Sequence, residues 1–203
     1  MPIYHWDIIQ QTDEWFALKQ LKLSASHATA IANCGKGLET YCNDLVRDYV
    51  AKKKDSYYNA DMQRGNELEP IAAMCYELET GLQTQTIGFI EYNQYVGCSP
   101  DRMVEEEGGL EIKARANKEH YRLLTTNKLD SDVVWQIQMC LLISERKWWD
   151  FASYNPNFKK SLYVQRIYPD EVAFVRLRNG FYEGEQIIKQ LLDTAAIKYE
   201  LQR

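Results

Sequence analysis

The 203-residue sequence predicts an α/β fold in which a central mixed β-sheet is flanked by helices. Three observations predict it: helical spacing of apolar residues before residue 82, three β-like segments between residues 85 and 114, and an apolar helix followed by two further β-like segments. The central order is therefore helix, three strands, helix, strand. With 45% hydrophobic residues, a chain of this length can bury one core, so we expect one domain over residues 1–203.

Three helices are predicted in the N-terminal part. The segment TDEWFALKQLK carries Thr12 as an N-cap, and SASHATAIANCG starts near Ser24 or Ser26 and stops at Gly35. The segment LETYCNDLVRDYVAKK, residues 38–53, is a third, amphipathic helix.

A fourth helix is predicted between Gly65 and Gly81. Its apolar residues recur at helical spacing and define an inward face: Leu68, Ile71, Ala72, Cys75 and Tyr76. Glu69 lies at the edge of that face, so it is expected to project toward the sheet.

Three strands follow in the segments QTIGFIEY, YVGCSPDRMV and LEIKA. Acidic residues and a Gly-Gly pair join the last two, which is typical of a β-hairpin. Residues 132–144 then form a buried helix with Gln136 on its apolar side, and two strands surround an Asn-Pro-Asn turn. Asp170 caps a long C-terminal helical region that we expect to be broken or kinked near Gly180.

The hairpin is predicted to bring two carboxylates together. Because side chains alternate along a strand, Glu111 and Lys113 project from one face, whereas Leu110 and Ile112 pack on the other. If the hairpin closes symmetrically about the Glu106 region, Asp101 lies opposite Glu111, with Cβ atoms roughly 5 Å apart. Two like charges so placed repel each other unless a divalent cation lies between them.

This arrangement predicts magnesium chemistry. Carboxylate-bound Mg²⁺ acidifies and orients a water and neutralises charge on a phosphodiester. Lys113 is placed to hold that water or to stabilise the anionic transition state. Glu69 and the backbone carbonyl of Ile112 are further candidate oxygen ligands, and Gln136 on the following helix gives the site an amide.

The E-x-K triplet alone has a simpler explanation, because an exposed strand edge with a weak ion pair shows the same pattern. Three further features favour the functional interpretation: a glutamate on the preceding helix, a Pro-Asp placed to pair with the E-x-K strand, and a glutamine on the next helix.

Composition excludes some classes of function. The net charge of −5 and the pI of about 5.3 argue against DNA binding driven by bulk charge. Local cations remain available for a basic surface: Lys19, Lys22, the run from Lys52 to Lys54, Arg64, Arg115, Lys118 and Arg122.

The five cysteines show no metal-ligand or disulfide spacing, and neither a signal peptide nor a membrane-length apolar run is evident, so we expect a soluble intracellular protein.

Several motifs, in order, resemble one family. They are W…LSAS at residues 15–26, RGNELEP at 64–70, GCSPDRMV at 97–104, GLEIKA at 109–114, QIQ at 136–138 and FASYNPN at 151–157. The sequence from about Trp15 to Tyr168 resembles the phage lambda exonuclease and YqaJ-like alkaline exonuclease family of the PD-(D/E)xK nuclease superfamily. The resemblance implies a PD-(D/E)xK nuclease core in α-β-β-β-α-β order.

The resemblance also implies roles for individual residues. Asp101 and Glu111, with the Ile112 carbonyl, would bind Mg²⁺, Glu69 would support a second metal position, and Lys113 would assist the attacking water. Two Mg²⁺ ions per active site are implied, with Mn²⁺ as an alternative ion. A pocket for the 5′-phosphate of DNA maps to Lys19, Ser26, Ser99 and Gln136, although the family pattern has arginine where Lys19 stands, and a lysine offers a point charge in place of a bidentate fork. Arg64 and Gln138, within two of the motifs, are candidate DNA contacts.

The implied partners are double-stranded DNA ends, two further copies of the chain in a ring-shaped homotrimer, and a single-strand annealing protein. The implied activity is removal of the 5′-ended strand from 5′ to 3′, which leaves 3′ single-stranded overhangs for phage-type recombination. We expect a phage or prophage protein in the cytoplasm of a bacterial host, with no membrane association. Two alternatives stay open: an endonuclease of the same fold, either restriction or junction-resolving, and a catalytically silent DNA-binding subunit.

Overall fold

A computed structural model describes residues 1–51 and 60–200 of the chain; the lysine run at 52–54 lies outside these residues. Within the described part the elements are, in chain order, β1 (Ile3–His5), α1 (Asp13–Lys19), β2 (Leu23–Ser24), a 3₁₀ helix (Ala25–His27), α2 (Ala28–Asn33), α3 (Lys36–Val50), α4 (Ala60–Thr80), β3 (Thr84–Gln85), β4 (Phe89–Asn93), β5 (Val96–Cys98), β6 (Arg102–Val104), β7 (Gly108–Ala114), α5 (Asn117–Thr126), α6 (Ser131–Ser144), β8 (Trp148–Tyr154), β9 (Leu162–Ile167) and α7 (Glu171–Glu200).

The strands form two mixed sheets, and the expected α/β class is confirmed. The five-stranded sheet has the order β3-β6-β7-β8-β9, with β7 and β8 parallel and the other neighbours antiparallel. The four-stranded sheet has the order β1-β4-β5-β2, and its β2–β5 pair is parallel. The E-x-K strand, β7, is therefore the centre of the larger sheet.

The strands form two sheets where one central sheet was expected, because two predicted strands each divide between the sheets. The first divides into β3 and β4 near Gly88, which lies so close to the N-terminal segment that a Cβ there would meet Ile8 O at 2.2 Å. The second divides into β5 and β6 at residues 99–101, where Pro100 has no N–H to donate to a ladder. Asp101 therefore lies at the crossing from one sheet to the other.

Helix α4 covers one face of the five-stranded sheet. Ala72 and Tyr76 are fully buried against Leu110 and Ile112 of β7. The larger core lies on the other side, where α2, α3, α6 and α7 pack around buried residues that include Leu23, Ile31, Leu38, Ile137 and Leu177. The site strand is therefore held between two helical layers.

A buried polar network fixes α4 to the sheet. The Tyr76 hydroxyl donates to Asp150 Oδ2 (2.6 Å), and the Arg166 guanidinium donates to both carboxylate oxygens of Asp150 at 2.8 Å. Asp150 is only 1% exposed, so these three donors satisfy a carboxylate that water does not reach. Because Glu69 lies on the same helix as Tyr76, this network also sets the position of Glu69 relative to β7.

Most predicted features of the helices agree with the structure, with three corrections. Thr12 accepts a hydrogen bond from Trp15 N, and Asp170 Oδ1 accepts from Val172 N (2.9 Å), so both predicted caps are confirmed. Helix α4 begins at Ala60, with Gly65 inside it, and α7 runs unbroken through Gly180. Ile71, expected on the inward face of α4, is 45% exposed.

Gly180 has a packing role where a break was expected. A Cβ at this position would lie 2.1 Å from Ile31 O, so the missing side chain lets α7 approach α2 closely.

Among residues 1–51 and 60–200, no helix has the length and apolar content that crossing a bilayer would require.

Candidate active site

The β6–β7 hairpin brings Asp101 beside Glu111. The antiparallel ladder pairs Arg102 with Leu110 and Met103 with Gly109, so the next pair outward in the same register is Asp101 with Glu111. Asp101 Oδ2 accepts a hydrogen bond from Ile112 N at 2.6 Å. The N–H and C=O of one strand residue point toward the same neighbouring strand, so the Ile112 carbonyl also faces this side.

Glu111 is the most buried member of the group. It is 1% exposed, and its Oε1 accepts from Gln136 Nε2 (2.7 Å) and lies 2.5 Å from Lys113 Nζ. Its other oxygen, Oε2, is buried and has no hydrogen-bond partner. A buried carboxylate oxygen left in this way is costly unless a ligand fills the position.

Electrostatics at the site follow from this crowding. Loss of solvation raises the pKa of Asp101 well above its ordinary value, and the nearby Glu111 and Glu69 carboxylates raise it further, while Lys113 and the Ile112 N–H oppose the rise. The Glu111 carboxylate, with a contribution from Asp101, raises the pKa of Lys113. Lys113 is therefore a fixed positive charge.

Glu69 reaches the site through an arginine that the sequence did not single out. Arg102 Nη1 donates to Glu69 Oε1 (2.6 Å) and to the backbone carbonyl of Asp101 (2.5 Å). Arg102 is adjacent to Asp101 in the sequence, and that adjacency to a Pro-Asp is the signal that could have identified it. The arginine thus links helix α4 to the sheet crossing that carries Asp101.

The donor set fits a small divalent cation. Two carboxylates, one with a partnerless oxygen, and an adjacent carbonyl are the ligands that Mg²⁺ takes alongside water and phosphate oxygens. No group of three or more His, Cys, Asp or Glu side chains converges on one point within the described ranges. Any ion here would therefore depend on two acidic side chains with oxygen atoms from the backbone, water or substrate.

The predicted phosphate-binding residues come from α1, the 3₁₀ helix, α6 and the segment between β5 and β6. The indole of Trp15 connects two of them: its Nε1 donates to Ser99 Oγ (3.1 Å), and Lys19 Nζ lies 3.8 Å from the centre of its ring. Ser26 is exposed on the 3₁₀ helix, which packs against α6, the helix that carries Gln136. Ser99 is two residues from Asp101, and Gln136 donates to Glu111, so these two residues border the carboxylates.

The two candidate DNA contacts lie in different settings. Gln138 is 4% exposed; its Nε2 donates to Tyr168 O and its Oε1 accepts from Asp170 N, both at 2.9 Å. Gln138 thus holds the start of α7, and its side chain is too buried for DNA to contact it unless neighbouring residues move. Arg64 is half-buried and donates from Nη2 to Ala114 O (2.8 Å), at the end of β7 nearest Lys113.

A protein-family model matches the part of the chain that contains this site. Residues 14–147, more than half of the chain, match the family model described as the YqaJ-like viral recombinase domain. That range includes Glu69, Asp101, Glu111, Lys113 and Gln136. No curated protein matches the chain.

Two solved structures of one enzyme are similar to the chain over most of its length. The alkaline exonuclease LHK-Exo from Laribacter hongkongensis superimposes with a TM-score of 0.80 at 29% identity, covering 91% of this chain and 98% of that one. LHK-Exo in complex with dAMP gives a TM-score of 0.82 with the same identity and coverage. A phage related exonuclease from Haemophilus somnus 129PT has a TM-score of 0.66 at 13% identity, covers 88% of this chain and 98% of that one, and shares the fold.

Proposed function

The chain belongs to the family of YqaJ-like viral recombinase domains, and on that premise we propose that it is a Mg²⁺-dependent exonuclease of linear double-stranded DNA. It degrades the 5′-ended strand in the 5′ to 3′ direction and leaves 3′ single-stranded overhangs for recombination by strand annealing. Similarity to the alkaline exonuclease LHK-Exo supports the exonuclease class. The observation that carries the metal dependence is the buried, partnerless Oε2 of Glu111 beside Asp101.

Asp101, Glu111 and the carbonyl of Ile112 would hold the ion, and Glu69 would support a second one. When bound, Mg²⁺ supplies charge neutralisation at the phosphodiester and acidifies a water, and Mn²⁺ is the alternative ion. The Arg102 guanidinium donates a hydrogen bond to the Glu69 carboxylate. Glu69 would therefore bind a second ion only by sharing its carboxylate between that ion and Arg102. The first ion therefore rests on the stronger structural support.

The remaining residues act through position and charge. Lys113, kept protonated by its carboxylate neighbours, would orient the attacking water and stabilise the anionic transition state. Gln136 holds one oxygen of Glu111, so the partnerless Oε2 would be the oxygen that binds the ion. Lys113 thus works as a charge and hydrogen-bond donor, since a lysine with a raised pKa is a poor general base at neutral pH.

The 5′-phosphate would bind to Lys19, Ser26, Ser99 and Gln136. Hydroxyl groups, an amide and a cation suit a terminal phosphate dianion, and the Trp15 indole already links Lys19 to Ser99. A ring-shaped homotrimer and a single-strand annealing protein complete the proposal. Three copies could turn basic surfaces inward and keep the acidic net charge outside.

One digestion assay tests the proposal. The purified chain is incubated with a 5′-phosphorylated linear duplex, a 5′-hydroxyl linear duplex and a covalently closed circle, each with Mg²⁺ and with EDTA. We expect the phosphorylated linear duplex to be digested fastest, the circle to survive, and EDTA to stop digestion. Cleavage of the circle would favour the endonuclease alternative, and intact DNA in every arm would favour a silent DNA-binding subunit.

A further inference from the structure

A cluster of positive charge surrounds the C-terminal end of β7, beyond the residues assigned to the metal and the terminal phosphate. Lys113 and Arg115 are two positions apart along β7 and its continuation. Arg64 approaches the same strand end from α4. Arg122 of α5 joins them through a shared carboxylate, Asp130, at the start of α6.

The backbone of Arg115 is fixed on both sides. Its N–H donates to Tyr154 O (3.2 Å), and its carbonyl accepts from Asn155 Nδ2 (2.9 Å). Asn155 is 2% exposed and also donates to Asn117 Oδ1 (3.0 Å), which ties the end of β8 to the start of α5. The guanidinium of Arg115 is therefore presented from a rigid position, as a binding residue requires.

The Asp130 carboxylate does not balance the arginine charges around it. Arg115 Nη2 and Arg122 Nη2 lie 3.3 Å and 2.7 Å from the two oxygens of Asp130, so two guanidinium groups share one carboxylate. Arg64 donates to a neutral backbone carbonyl. In these contacts Arg64 and Arg115 each use only Nη2, and the Arg115 side chain is 23% exposed, so both guanidinium groups keep an Nη1 donor for a ligand.

We propose that Arg115, together with Arg64, binds a non-reacting phosphate of the DNA strand held in the active site, next to the phosphate that is hydrolysed. The inference rests on the proposed nuclease function. Two residues of extended chain advance about 6.6 Å, so Arg115 lies beyond Lys113 along the strand and contacts a different phosphate. Guanidinium groups suit this task because they bind phosphate oxygens in a bidentate manner.

The test measures the binding of each variant to a 5′-phosphorylated linear duplex without divalent ions, so that no DNA is cleaved, over a range of salt concentrations. Loss of one phosphate contact reduces the slope of log K against log[salt] by about 0.9. We expect that reduction for Arg115→Gln and for Arg64→Gln, while Arg115→Lys keeps most of the slope. In Mg²⁺ assays both glutamine variants should raise KM more than they lower kcat, because a non-reacting phosphate contributes uniform binding.

Arg146→Gln is the matched control. Arg146 also donates to a backbone carbonyl, Glu105 O at 3.0 Å, but it lies at the opposite end of β7. This variant loses the same charge and should keep the wild-type slope. Thermal unfolding of every variant establishes that it is folded.

The outcomes separate the two proposals. If the wild type digests DNA but Arg115→Gln and Arg64→Gln keep its salt slope and KM, the inference is overturned and the nuclease function stands. A lower unfolding temperature with an unchanged slope would likewise overturn it and make Arg115 a structural partner of Asp130. If the wild type digests no DNA, the proposed function fails, and metal-free binding still reports on the phosphate contacts.

Discussion

The Glu111 carboxylate lowers the stability of the folded protein and is suited to binding a ligand. One of its oxygens is held by Gln136 and Lys113, and the other is buried without a partner. Burial of a half-satisfied carboxylate lowers stability, and it does so here beside a second carboxylate, Asp101. A buried group that lowers stability in this way is expected at a position where a bound ligand completes the site, because such a group is kept for its function.

Replacement of Glu111 by Gln should abolish digestion. The shape and the contacts to Gln136 and Lys113 remain, but the negative charge that attracts the ion is lost. We expect the rate on a linear duplex to fall at least about 100-fold, as is typical when one electrostatic partner of the transition state is removed. Glu107→Gln is the control, because Glu107 is exposed in the β6–β7 turn and pairs with Lys147. Undiminished digestion by Glu111→Gln would refute the site assignment.

Replacement of Asp101 by Asn should stabilise the metal-free protein at neutral pH. The folded-state pKa of Asp101 is raised, so the folded state holds its proton more tightly and ionisation favours unfolding. The wild type should therefore lose stability as the pH rises from about 3.8 through the raised pKa, by about 1.4 kcal/mol for each pH unit of the rise. An asparagine at position 101 does not ionise, so this loss of stability disappears. Its side-chain oxygen can still accept the hydrogen bond from Ile112 N.

Urea unfolding in EDTA between pH 4 and pH 8 measures this difference. Asp7→Asn, at an exposed position, should follow the wild-type profile. Added Mg²⁺ should stabilise the wild type and leave Asp101→Asn unchanged. An Asp101→Asn protein less stable than the wild type in EDTA at pH 7 would contradict the prediction.

At the scale of elements, β7 depends on two glycines for its place beside β8. A Cβ on Gly109 would lie 2.3 Å from the Trp149 ring, which is fully buried, and one on Gly108 would lie 2.2 Å from the half-buried Trp148 ring. Trp148 has room to move, although Arg166 stacks on it at 3.5 Å, whereas Trp149 is enclosed by core residues.

Gly109→Ala should therefore cost more stability than Gly108→Ala. Overpacking an enclosed core position typically costs about 1–3 kcal/mol, and we expect Gly109→Ala in that range with Gly108→Ala below it. Chemical denaturation of the two variants in parallel measures the difference. Equal losses would indicate that the sheet shifts as a unit to accommodate either methyl group.

Local patterns explain which elements the sequence predicted. Caps at Thr12 and Asp170 and the alternation around Glu111 are encoded by neighbouring residues, and the structure confirms them. Gly88 and Pro100 mark where the strands divide, but the sheet that each half joins depends on pairing with distant segments, which residue patterns do not reveal. Helix α5 and the three-residue β1 were not predicted: α5 is amphipathic, so its helical spacing could have identified it, whereas β1 is too short to show a period.

The candidate site was predictable to the extent that it depends on a hairpin register. The pairing of Asp101 with Glu111 follows from counting residues around the turn, and the ladder has that register. Arg102 as a partner of Glu69, and Asp130 as a partner of two arginines, depend on the packing of helices against the sheet. The catalytic and DNA-binding roles of all these residues stay predictions.

At the scale of the whole molecule, an acidic protein is proposed to bind a polyanion. The net charge of −5 means that attraction to DNA must come from local groups such as the end of β7. A closed ring of three chains would concentrate those groups around one channel, because cyclic symmetry repeats each surface at equal distance from the axis.

Sedimentation equilibrium should therefore give three times the mass of one chain. The mass should persist when salt is raised to dissociate DNA, since the chains and not the DNA hold the ring together. A monomer mass at micromolar concentration would contradict the trimer and leave the active-site assignment untouched. The Glu111→Gln variant, measured in parallel, should give the same mass as the wild type.

The three residues between β5 and β6 act as a fixed-length bridge between sheets. The Trp15 indole donates to Ser99 Oγ on this bridge and to Gly88 O at the other division point, so one side chain fastens both crossings. Insertion of a single residue at 99–101 would displace the Asp101 carboxylate from Glu111, whereas an insertion at the exposed Glu105–Glu107 turn would only lengthen a loop. The turn of this protein can therefore tolerate a change in length, whereas the length of the bridge is set by the separation of Asp101 and Glu111.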